Sequence, residues 1–193
     1  MQKHLRNPQI KENIYNVPNF ISLYRLISIP VLWHVSYTGN EKLFFYWFLF
    51  NMFTDVLDGF IARKFNLQTK FGAKLDSIAD FFMYLLAMYA IIHFKWEELQ
   101  VYKISFILMM SYYILIDLFS LIKFQEIASF HLISSKVAGV LQGVFFLVLF
   151  TYGIHPFLYW SMFAVSTYSF IENMYYLFKL DKMQSNLKGF FGK

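Results

Sequence analysis

The sequence predicts an all-α integral membrane protein with six transmembrane helices, arranged as a single domain over residues 1–193. The first observation is compositional: 58% of the residues are hydrophobic and only 15% are charged, whereas about a quarter are charged in soluble domains. The second is the mean hydropathy of +0.45. The third is the length of the apolar stretches, each close to the roughly 20 residues that a helix needs to cross a bilayer. These stretches leave no room for a separate soluble domain.

Six apolar stretches define the predicted helices in order along the chain. They cover about residues 20–38, 43–62, 73–94, 101–122, 132–153 and 156–178. The breaks after the first, third and fifth stretches hold few lysines, whereas both tails and the breaks after the second and fourth hold most of the Lys and Arg residues. Since positively charged loops stay on the cytoplasmic side, both termini are predicted to face the cytoplasm.

The two ends of the chain are predicted to contact the membrane surface. Residues 1–17 combine basic and apolar side chains, which favours a short interfacial helix on the anionic inner leaflet, with a disordered tail as the alternative. This segment lacks the apolar core of a signal peptide, so we expect it to be retained. Residues 179–193 mix four lysines with Phe190 and Phe191, a pattern typical of headgroup contact by a cytoplasmic tail. The net charge of +5 therefore indicates membrane lipid, and no nucleic acid, as a partner.

Four aspartates interrupt this apolar background: Asp55, Asp58, Asp76 and Asp80. They are set in the frame D-x2-D-G-x2-A-R-x8-G-x3-D-x3-D. Spacings of three and four residues put each pair on one helical face, and the turn between the second and third predicted helices makes those helices antiparallel neighbours. We therefore expect the two pairs to converge on one pocket. Because a charged carboxylate within a membrane costs about 3 kcal/mol, four together are predicted to bind cations.

The type of cation follows from the residues available as ligands. The chain has no cysteine, so carboxylate oxygen is the main ligand and a hard cation, Mg²⁺ or Mn²⁺, is predicted. Small residues at the predicted crossing let backbones or a bulky ligand approach, and basic residues at its rim suit a phosphate. The alternative is that the aspartates only pair with nearby basic residues at the membrane surface, namely Arg63, Lys64, Lys70 and Lys74.

Two cations held by carboxylates are typical of phosphoryl transfer, in which they neutralise the transferring phosphate while a free carboxylate accepts a proton. A divalent-cation transporter is a different class that also places aspartates between helices. It predicts broken helices in the middle of the membrane and a pathway to both faces. The aspartates here cluster at one end of two helices, beside a basic turn, which favours the enzyme.

Residues 55–80 resemble, at every fixed position of the frame, the signature of the CDP-alcohol phosphatidyltransferases, which are integral membrane enzymes of phospholipid synthesis. The resemblance implies that an acceptor hydroxyl attacks the phosphorus of CDP-diacylglycerol and that CMP leaves. It implies Asp55, Asp58 and Asp76 as metal ligands, with Asp80 near the metals as the catalytic general base. It also implies a homodimer, with a cytoplasm-facing active site in the bacterial cytoplasmic (inner) membrane. The residues that it assigns to the nucleotide are Gly59, Ala62, Arg63 and Gly72.

The start of the first predicted helix bears on the acceptor alcohol. Residues 16–25 are similar to the N-x-P-N-x-[ST]-x2-R opening of bacterial phosphatidylglycerophosphate synthases. Asn19, Ser22 and Arg25 fall three apart on one helical face, where Arg25 can bind a phosphate or pair with a carboxylate. The alternative for Asn19 and Ser22 is that one of them caps the helix.

The fifth predicted helix opens with a second stretch similar to those synthases, G-K-x-K-T-x-x-Q, with Lys136 and Gln142 in register. Ala138 stands where a second lysine is expected, and Gly139 replaces the threonine. Glycerol 3-phosphate is the favoured acceptor, with inositol phosphate, serine or another alcohol left open by the missing lysine. The alternative for Lys136 is that it only extends to the membrane interface. The predicted acceptor-binding residues are Arg25, His131, Ser135 and Lys136.

Three further polar residues lie within predicted helices, and we do not expect them to be catalytic. They are Asp117, Glu172 and Asn173. Asp117, and likewise Glu172 with Asn173, can orient Arg25 or Lys136 by pairing with them, or can face a hydrated cavity.

Overall fold

The computed structural model describes residues 14–126, 130, 132–184, 187 and 189–190. This part of the chain contains six α-helices. They are α1 (Val17–Tyr37), α2 (Glu41–Lys64), α3 (Lys70–Lys95), α4 (Lys103–Phe124), α5 (Ile133–Tyr152) and α6 (Pro156–Lys179), with a 3₁₀ turn at Gln100–Tyr102. Each predicted helix is therefore present, with ends that differ by a few residues. An apolar run of this length leaves the backbone no alternative to helical hydrogen bonding inside a bilayer.

Three of these segments are long and apolar enough to cross a membrane. They are Lys70–Lys95, Gln100–Phe124 and Ile133–Tyr152. The chain is thus an all-helical membrane protein, while a crossing by each of the six helices stays a prediction.

The helix ends follow local capping chemistry. Asn16 caps α1, because its side-chain oxygen accepts the backbone N–H of Asn19 at 2.9 Å, and Pro18 lies in the first turn. The alternative in which Asn19 or Ser22 caps α1 is therefore wrong. The hydroxyl of Thr69 accepts the backbone N–H of Gly72 at 2.9 Å, directly before α3. This bond fixes where α3 begins and so where its aspartates lie.

The chain divides into two compact units, Met1–Ala90 and Ile91–Lys193. In the first unit, α1 packs mainly against α2. The hydroxyl of Ser28 on α1 donates to the amide oxygen of Asn51 on α2 at 2.6 Å. The indole of Trp33 on α1 stacks on Tyr89 of α3 with ring centroids 4.7 Å apart. These contacts align α1 with the helices that carry the aspartates.

In the second unit, α6 packs against both α4 and α5. Gln142 on α5 connects these helices, since its amide donates to the hydroxyl of Tyr113 on α4 at 2.7 Å and of Ser166 on α6 at 3.0 Å. A buried polar group that is bonded in this way fixes the register of neighbouring helices. Gln142 is thus an internal bridge of this unit.

The described part of the C-terminal segment lies against α6. The backbone N–H of Phe190 donates to the carboxylate of Glu172 at 2.5 Å, and the Phe190 ring lies 5.0 Å from that of Tyr175. The backbone N–H of Leu187 donates to the carbonyl of Phe130 at 3.2 Å. Phe190 therefore packs against α6, which the sequence pattern did not predict, and contact of the tail with headgroups stays a prediction. The predicted interfacial helix before Ile14, and Phe191, lie outside the described residues.

Candidate active site

The structure brings together aspartates from two helices. Carboxylate oxygens of Asp55 on α2 and of Asp76 and Asp80 on α3 lie within 4.8 Å of one another. Their side chains are half-exposed, at 39%, 42% and 54% respectively. The group thus combines close approach with access from outside, which a ligand requires.

The fourth aspartate, Asp58, differs from the other three. Its side chain is only 4% exposed, and it accepts a hydrogen bond of 3.0 Å from the hydroxyl of Ser22 on α1. It is not one of the three aspartates whose carboxylate oxygens all lie within 4.8 Å of one another. Asp58 lies at the buried side of the cluster, where Ser22 fixes one of its oxygens.

Arg25 lies at the centre of the cluster. One terminal nitrogen of its guanidinium pairs with Asp55, with Asp76 at 2.8 Å and with Asp58 at 3.8 Å, and the other pairs with Asp80 at 2.5 Å. The arginine side chain is 3% exposed. Of the two interactions that the sequence allows for Arg25, the structure shows the pairing with carboxylates. Binding of an acceptor phosphate stays a prediction.

A small polar network connects the beginnings of α1 and α3 beside the cluster. The amide nitrogen of Asn19 donates to the carbonyl of Ile14 at 2.8 Å and to the hydroxyl of Thr69 at 3.2 Å. Gly72 is buried against this pair, and a Cβ atom at position 72 would collide with the Asn19 amide oxygen. Gly72 therefore permits the close approach of α1 to α3. A role of Gly72 in nucleotide binding stays a prediction.

The other residues expected at the nucleotide lie near the end of α2. A Cβ atom at Gly59 would lie 3.2 Å from a guanidinium nitrogen of Arg63, so the arginine lies back along its own helix. Arg63 is exposed and Ala62 is half-buried. Their arrangement leaves a cationic group at the surface of α2, one turn from Asp58.

The charges of the cluster do not balance. One guanidinium faces four carboxylates, and two like charges about 4 Å apart repel by about 4 kcal/mol at an effective dielectric constant near 20. A divalent cation would remove this repulsion, and the donor set of carboxylate oxygens fits a hard ion such as Mg²⁺ or Mn²⁺. Asp55, Asp76 and Asp80 are placed to hold it, with Asp58 beside them.

The second unit contains a cavity of about 250 Å³ whose lining is more apolar than polar. Its polar lining residues include Tyr113, Asp117, Ser135, Lys136, Ser169 and Asn173. Two of the residues predicted to bind the acceptor, Ser135 and Lys136, therefore line one cavity, while His131 lies outside the described residues. The Ser135 and Ser169 hydroxyls are 3.0 Å apart, and the amide of Asn173 donates to Ser135 at 2.9 Å.

The buried polar residues of α6 have partners other than a lysine. Glu172 accepts the hydroxyl of Ser134 and the backbone N–H of Phe190, and Asn173 donates to Ser135 and Ser169. In the described residues these bonds replace the pairing of Glu172 or Asn173 with Lys136 that the sequence left open. Asn173 instead orients the Ser135 hydroxyl at the cavity.

Two residues of α5, Ala138 and Gly139, differ from the G-K-x-K-T-x-x-Q stretch of the synthases, and the structure explains both differences. Ala138 has no exposed surface, so a lysine there would have to bury its charge or displace its neighbours. Gly139 is on the exposed side, where a Cβ atom would have no other atom within 4 Å. Lys136 is consequently the cation that this stretch of α5 offers to a ligand.

Comparison with known families identifies the chain. The sequence model of one family, described as CDP-alcohol phosphatidyltransferase, matches residues 15–170. The chain belongs to this family. The matched region includes α1 to α5 and the four aspartates, as the resemblance of residues 55–80 indicates.

Individual relatives match this CDP-alcohol phosphatidyltransferase over shorter segments than the family model does. A CDP-diacylglycerol–glycerol-3-phosphate 3-phosphatidyltransferase of Rickettsia typhi is 43% identical over 68 residues, which are 34% of this chain and 38% of the relative. The corresponding Wigglesworthia glossinidia brevipalpis protein is 38% identical over 82 residues, 41% of this chain and 45% of the relative. A cardiolipin synthase (CMP-forming)/mitochondrial hydrolase fusion protein of Schizosaccharomyces pombe is 38% identical over 78 residues, 40% of this chain and 13% of the relative.

These alignments thus span less than half of each relative. No solved structure matches the chain.

Proposed function

We propose that the protein transfers the phosphatidyl group of CDP-diacylglycerol to an alcohol, most favourably glycerol 3-phosphate, and releases CMP in phospholipid biosynthesis. The observation that carries the proposal is the convergence of Asp55, Asp76 and Asp80 within 4.8 Å, in a chain of the CDP-alcohol phosphatidyltransferase family. We propose Mg²⁺ or Mn²⁺ as the cofactor, because the donors are carboxylate oxygens. A bound divalent ion would neutralise negative charge on the diphosphate and on the leaving CMP.

The aspartates differ in exposure, which suggests different roles. Asp80 has the most exposed side chain of the four, at 54%, so it is the best placed to meet an incoming hydroxyl. In the proposed reaction the acceptor oxygen bonds to the phosphorus that carries diacylglycerol, and the bond from that phosphorus to the oxygen of CMP breaks. Asp80 accepts the proton of the hydroxyl. Asp55, Asp58 and Asp76 hold the cation together with Asp80, and Ser22 fixes Asp58.

We propose that the site recognises both the phosphate and the free hydroxyl groups of the acceptor. The cavity lined by Lys136 and Ser135 offers one cation, several hydroxyl groups and the amide of Asn173, which suit a small phosphorylated alcohol, and it also contains the carboxylate of Asp117. The names of the bacterial relatives favour glycerol 3-phosphate. Inositol phosphate and serine remain alternatives. The similarity to a cardiolipin synthase adds phosphatidylglycerol, an alcohol that is itself a lipid, as a second candidate.

The cation-transporter alternative predicts helices that are broken near the aspartates. α2 and α3 both continue as regular helix through their aspartate pairs, from Glu41 to Lys64 and from Lys70 to Lys95. This continuity favours the enzyme. We propose further that the enzyme is a homodimer in the bacterial cytoplasmic membrane, with its site and both termini facing the cytoplasm, as the distribution of basic residues indicates.

Release of CMP tests the reaction directly. The purified protein in detergent, given CDP-diacylglycerol and Mn²⁺ or Mg²⁺, should release CMP only when a suitable alcohol is added, and EDTA should abolish the release. A panel of glycerol 3-phosphate, inositol phosphate, serine and phosphatidylglycerol, scored by the lipid formed, identifies the acceptor. Failure of all acceptors to release CMP from the metal-loaded protein would contradict the proposal.

Substitution of Lys136 tests the acceptor pocket. Lys136→Gln removes the positive charge that α5 contributes to the cavity, so the KM for glycerol 3-phosphate should rise about tenfold, since a charge-assisted hydrogen bond is worth about 1.5–3 kcal/mol. The KM for CDP-diacylglycerol should stay the same. Lys103→Gln, at an exposed lysine at the start of α4, is the matched control. An equal rise in KM for both substrates would remove Lys136 from the acceptor pocket.

A further inference from the structure

The guanidinium of Arg25 occupies the point at which the four aspartates meet, and it pairs with all of them. We propose that Arg25 is an internal counter-ion that competes with the divalent cation for these carboxylates. Cation binding and departure of the guanidinium are then one coupled event. The inference rests on the proposed metal dependence and assigns a function to an arginine that the aspartate frame does not contain.

The first argument is that both cations use the same ligands. Asp55, Asp76 and Asp80 form the group able to hold a cation, and each of them also pairs with a terminal nitrogen of Arg25. A divalent ion binds carboxylate oxygens at about 2.0–2.6 Å, depending on the metal. A guanidinium that kept these pairs would lie against the ion, and the two positive charges would repel. Binding of the ion therefore requires the guanidinium to withdraw from these oxygens.

The second argument is that the bonding of Arg25 is incomplete. Its terminal nitrogens pair with carboxylates, whereas Nε is buried and has no hydrogen-bond partner among the described residues. An unpaired buried donor is destabilising, because its lost hydration is not replaced. A guanidinium that only supported the fold would be expected to have all its donors satisfied. This unpaired donor reduces the cost of moving Arg25 away from the cluster.

The third argument concerns the cost of having no counter-ion. The Asp58 side chain is almost fully buried, so its charge depends on Ser22 and on the nearby guanidinium at 3.8 Å. Without Arg25 the four carboxylates would repel one another and the ends of α2 and α3 would separate more readily. Arg25 thus holds the ligands close together until a divalent cation replaces it.

The competition predicts that loss of Arg25 raises the Mn²⁺ affinity and lowers the stability of the metal-free protein, so one variant tests both effects. Arg25→Gln removes the competing charge, so Mn²⁺ should bind at least about tenfold more tightly than in the unmodified protein, a gain of 1.4 kcal/mol. The same variant should be less stable in EDTA, and its stabilisation by Mn²⁺ should be larger, as linkage requires. Affinity is measured from the electron paramagnetic resonance signal of free Mn²⁺ in detergent. Stability is measured by thermal unfolding. Lys103→Gln, which also removes one positive charge but lies in the other unit, should leave the Mn²⁺ affinity unchanged.

Arg25→Lys is a second variant for the case in which Arg25→Gln does not fold. Lysine keeps the charge but cannot span several carboxylates with a planar fork, so Arg25→Lys should bind Mn²⁺ more tightly than the unmodified protein, though less tightly than Arg25→Gln where that variant folds. Mn²⁺ binding that is equal to or weaker than that of the unmodified protein, in each variant that folds, would overturn the competition and make Arg25 a structural support. Such a result would leave the proposed function intact. Absence of Mn²⁺ binding in all the proteins, including the unmodified one, would overturn both the competition and the metal-dependent reaction.

Discussion

Asp80→Asn should lower kcat for CMP release by about three orders of magnitude, which is the range observed when a general base is removed. The substitution keeps the size of the side chain and removes its charge and its ability to accept a proton. Asp80 has the most exposed of the four carboxylates, and its only paired cation in the described residues is Arg25 at 2.5 Å. Loss of this one charge should weaken Mn²⁺ binding far less than it lowers kcat, because Asp55, Asp58 and Asp76 remain.

The measurement is steady-state CMP release at saturating Mn²⁺, with Mn²⁺ affinity determined separately on the same protein. Asp181→Asn is the matched control, since Asp181 is an exposed aspartate beyond the end of α6. It should retain full activity. A kcat within about tenfold of the unmodified enzyme would remove Asp80 from the role of base. Weaker Mn²⁺ binding together with a kcat that is fully recovered once Mn²⁺ is saturating would make it a ligand alone.

The helices and the meeting of the aspartates could be predicted because both depend on local spacing. Apolar runs of about 20 residues specify helices in a membrane, and intervals of three or four residues specify one helical face. A short break between two such helices makes the second return beside the first. Asp55 and Asp76 do come close in the structure, but α2 and α3 are not among the helix pairs that pack extensively in the described part of the chain. Arg25 of α1 pairs with both aspartates, so their approach also depends on a distant residue that the local spacing does not specify.

The position of Arg25 could not be predicted in the same way. The spacing puts Asn19, Ser22 and Arg25 on one face of α1, but it does not say which helix that face contacts. In the structure Ser22 bonds to Asp58 of α2 and Arg25 reaches both aspartate pairs. The choice is made by tertiary packing of α1, through contacts such as Ser28 with Asn51. The available signal was an arginine on one face of the first predicted helix, at its cytoplasmic end, and this signal left both phosphate binding and carboxylate pairing open.

The helix caps show a second limit of local pattern. Asn16, Asn19 and Ser22 are all residues that cap helices, and the sequence alone does not rank them. Asn16 takes this role because Pro18 fits the first turn, which frees Asn19 to bond Thr69 before α3. The same holds for Glu172, whose partners Ser134 and Phe190 come from remote parts of the chain. Long-range hydrogen bonds of this kind leave no periodic trace in the sequence.

Asn19 lies so close to Gly72 that a side chain at position 72 should have a large effect on the stability of the protein. Gly72→Ala should destabilise the protein by about 2 kcal/mol, although alanine favours a helix over glycine. The new Cβ would meet the Asn19 amide oxygen and lie 2.9 Å from the hydroxyl of Thr69. Relief requires loss of the Thr69 cap, about 1 kcal/mol, and of the Asn19 bonds, about 1 kcal/mol each, against a gain of up to about 1 kcal/mol from helix propensity. The apparent Tm in detergent should fall by about 4–8 °C.

Gly139→Ala provides the matched control, because it makes the same change inside α5 where no atom lies within 4 Å of the added Cβ. It should leave the Tm unchanged or raise it slightly.

The specific contact is tested by combining Gly72→Ala with Asn19→Ala. If the collision with Asn19 causes the loss, Gly72→Ala should cost clearly less in the Asn19→Ala background, since residues in contact are not additive. Equal costs in both backgrounds would show that Gly72 is required for a reason other than the approach of α1 to α3. In that case its expected place at the nucleotide becomes the leading explanation, and a raised KM for CDP-diacylglycerol in Gly72→Ala would be the result that distinguishes it.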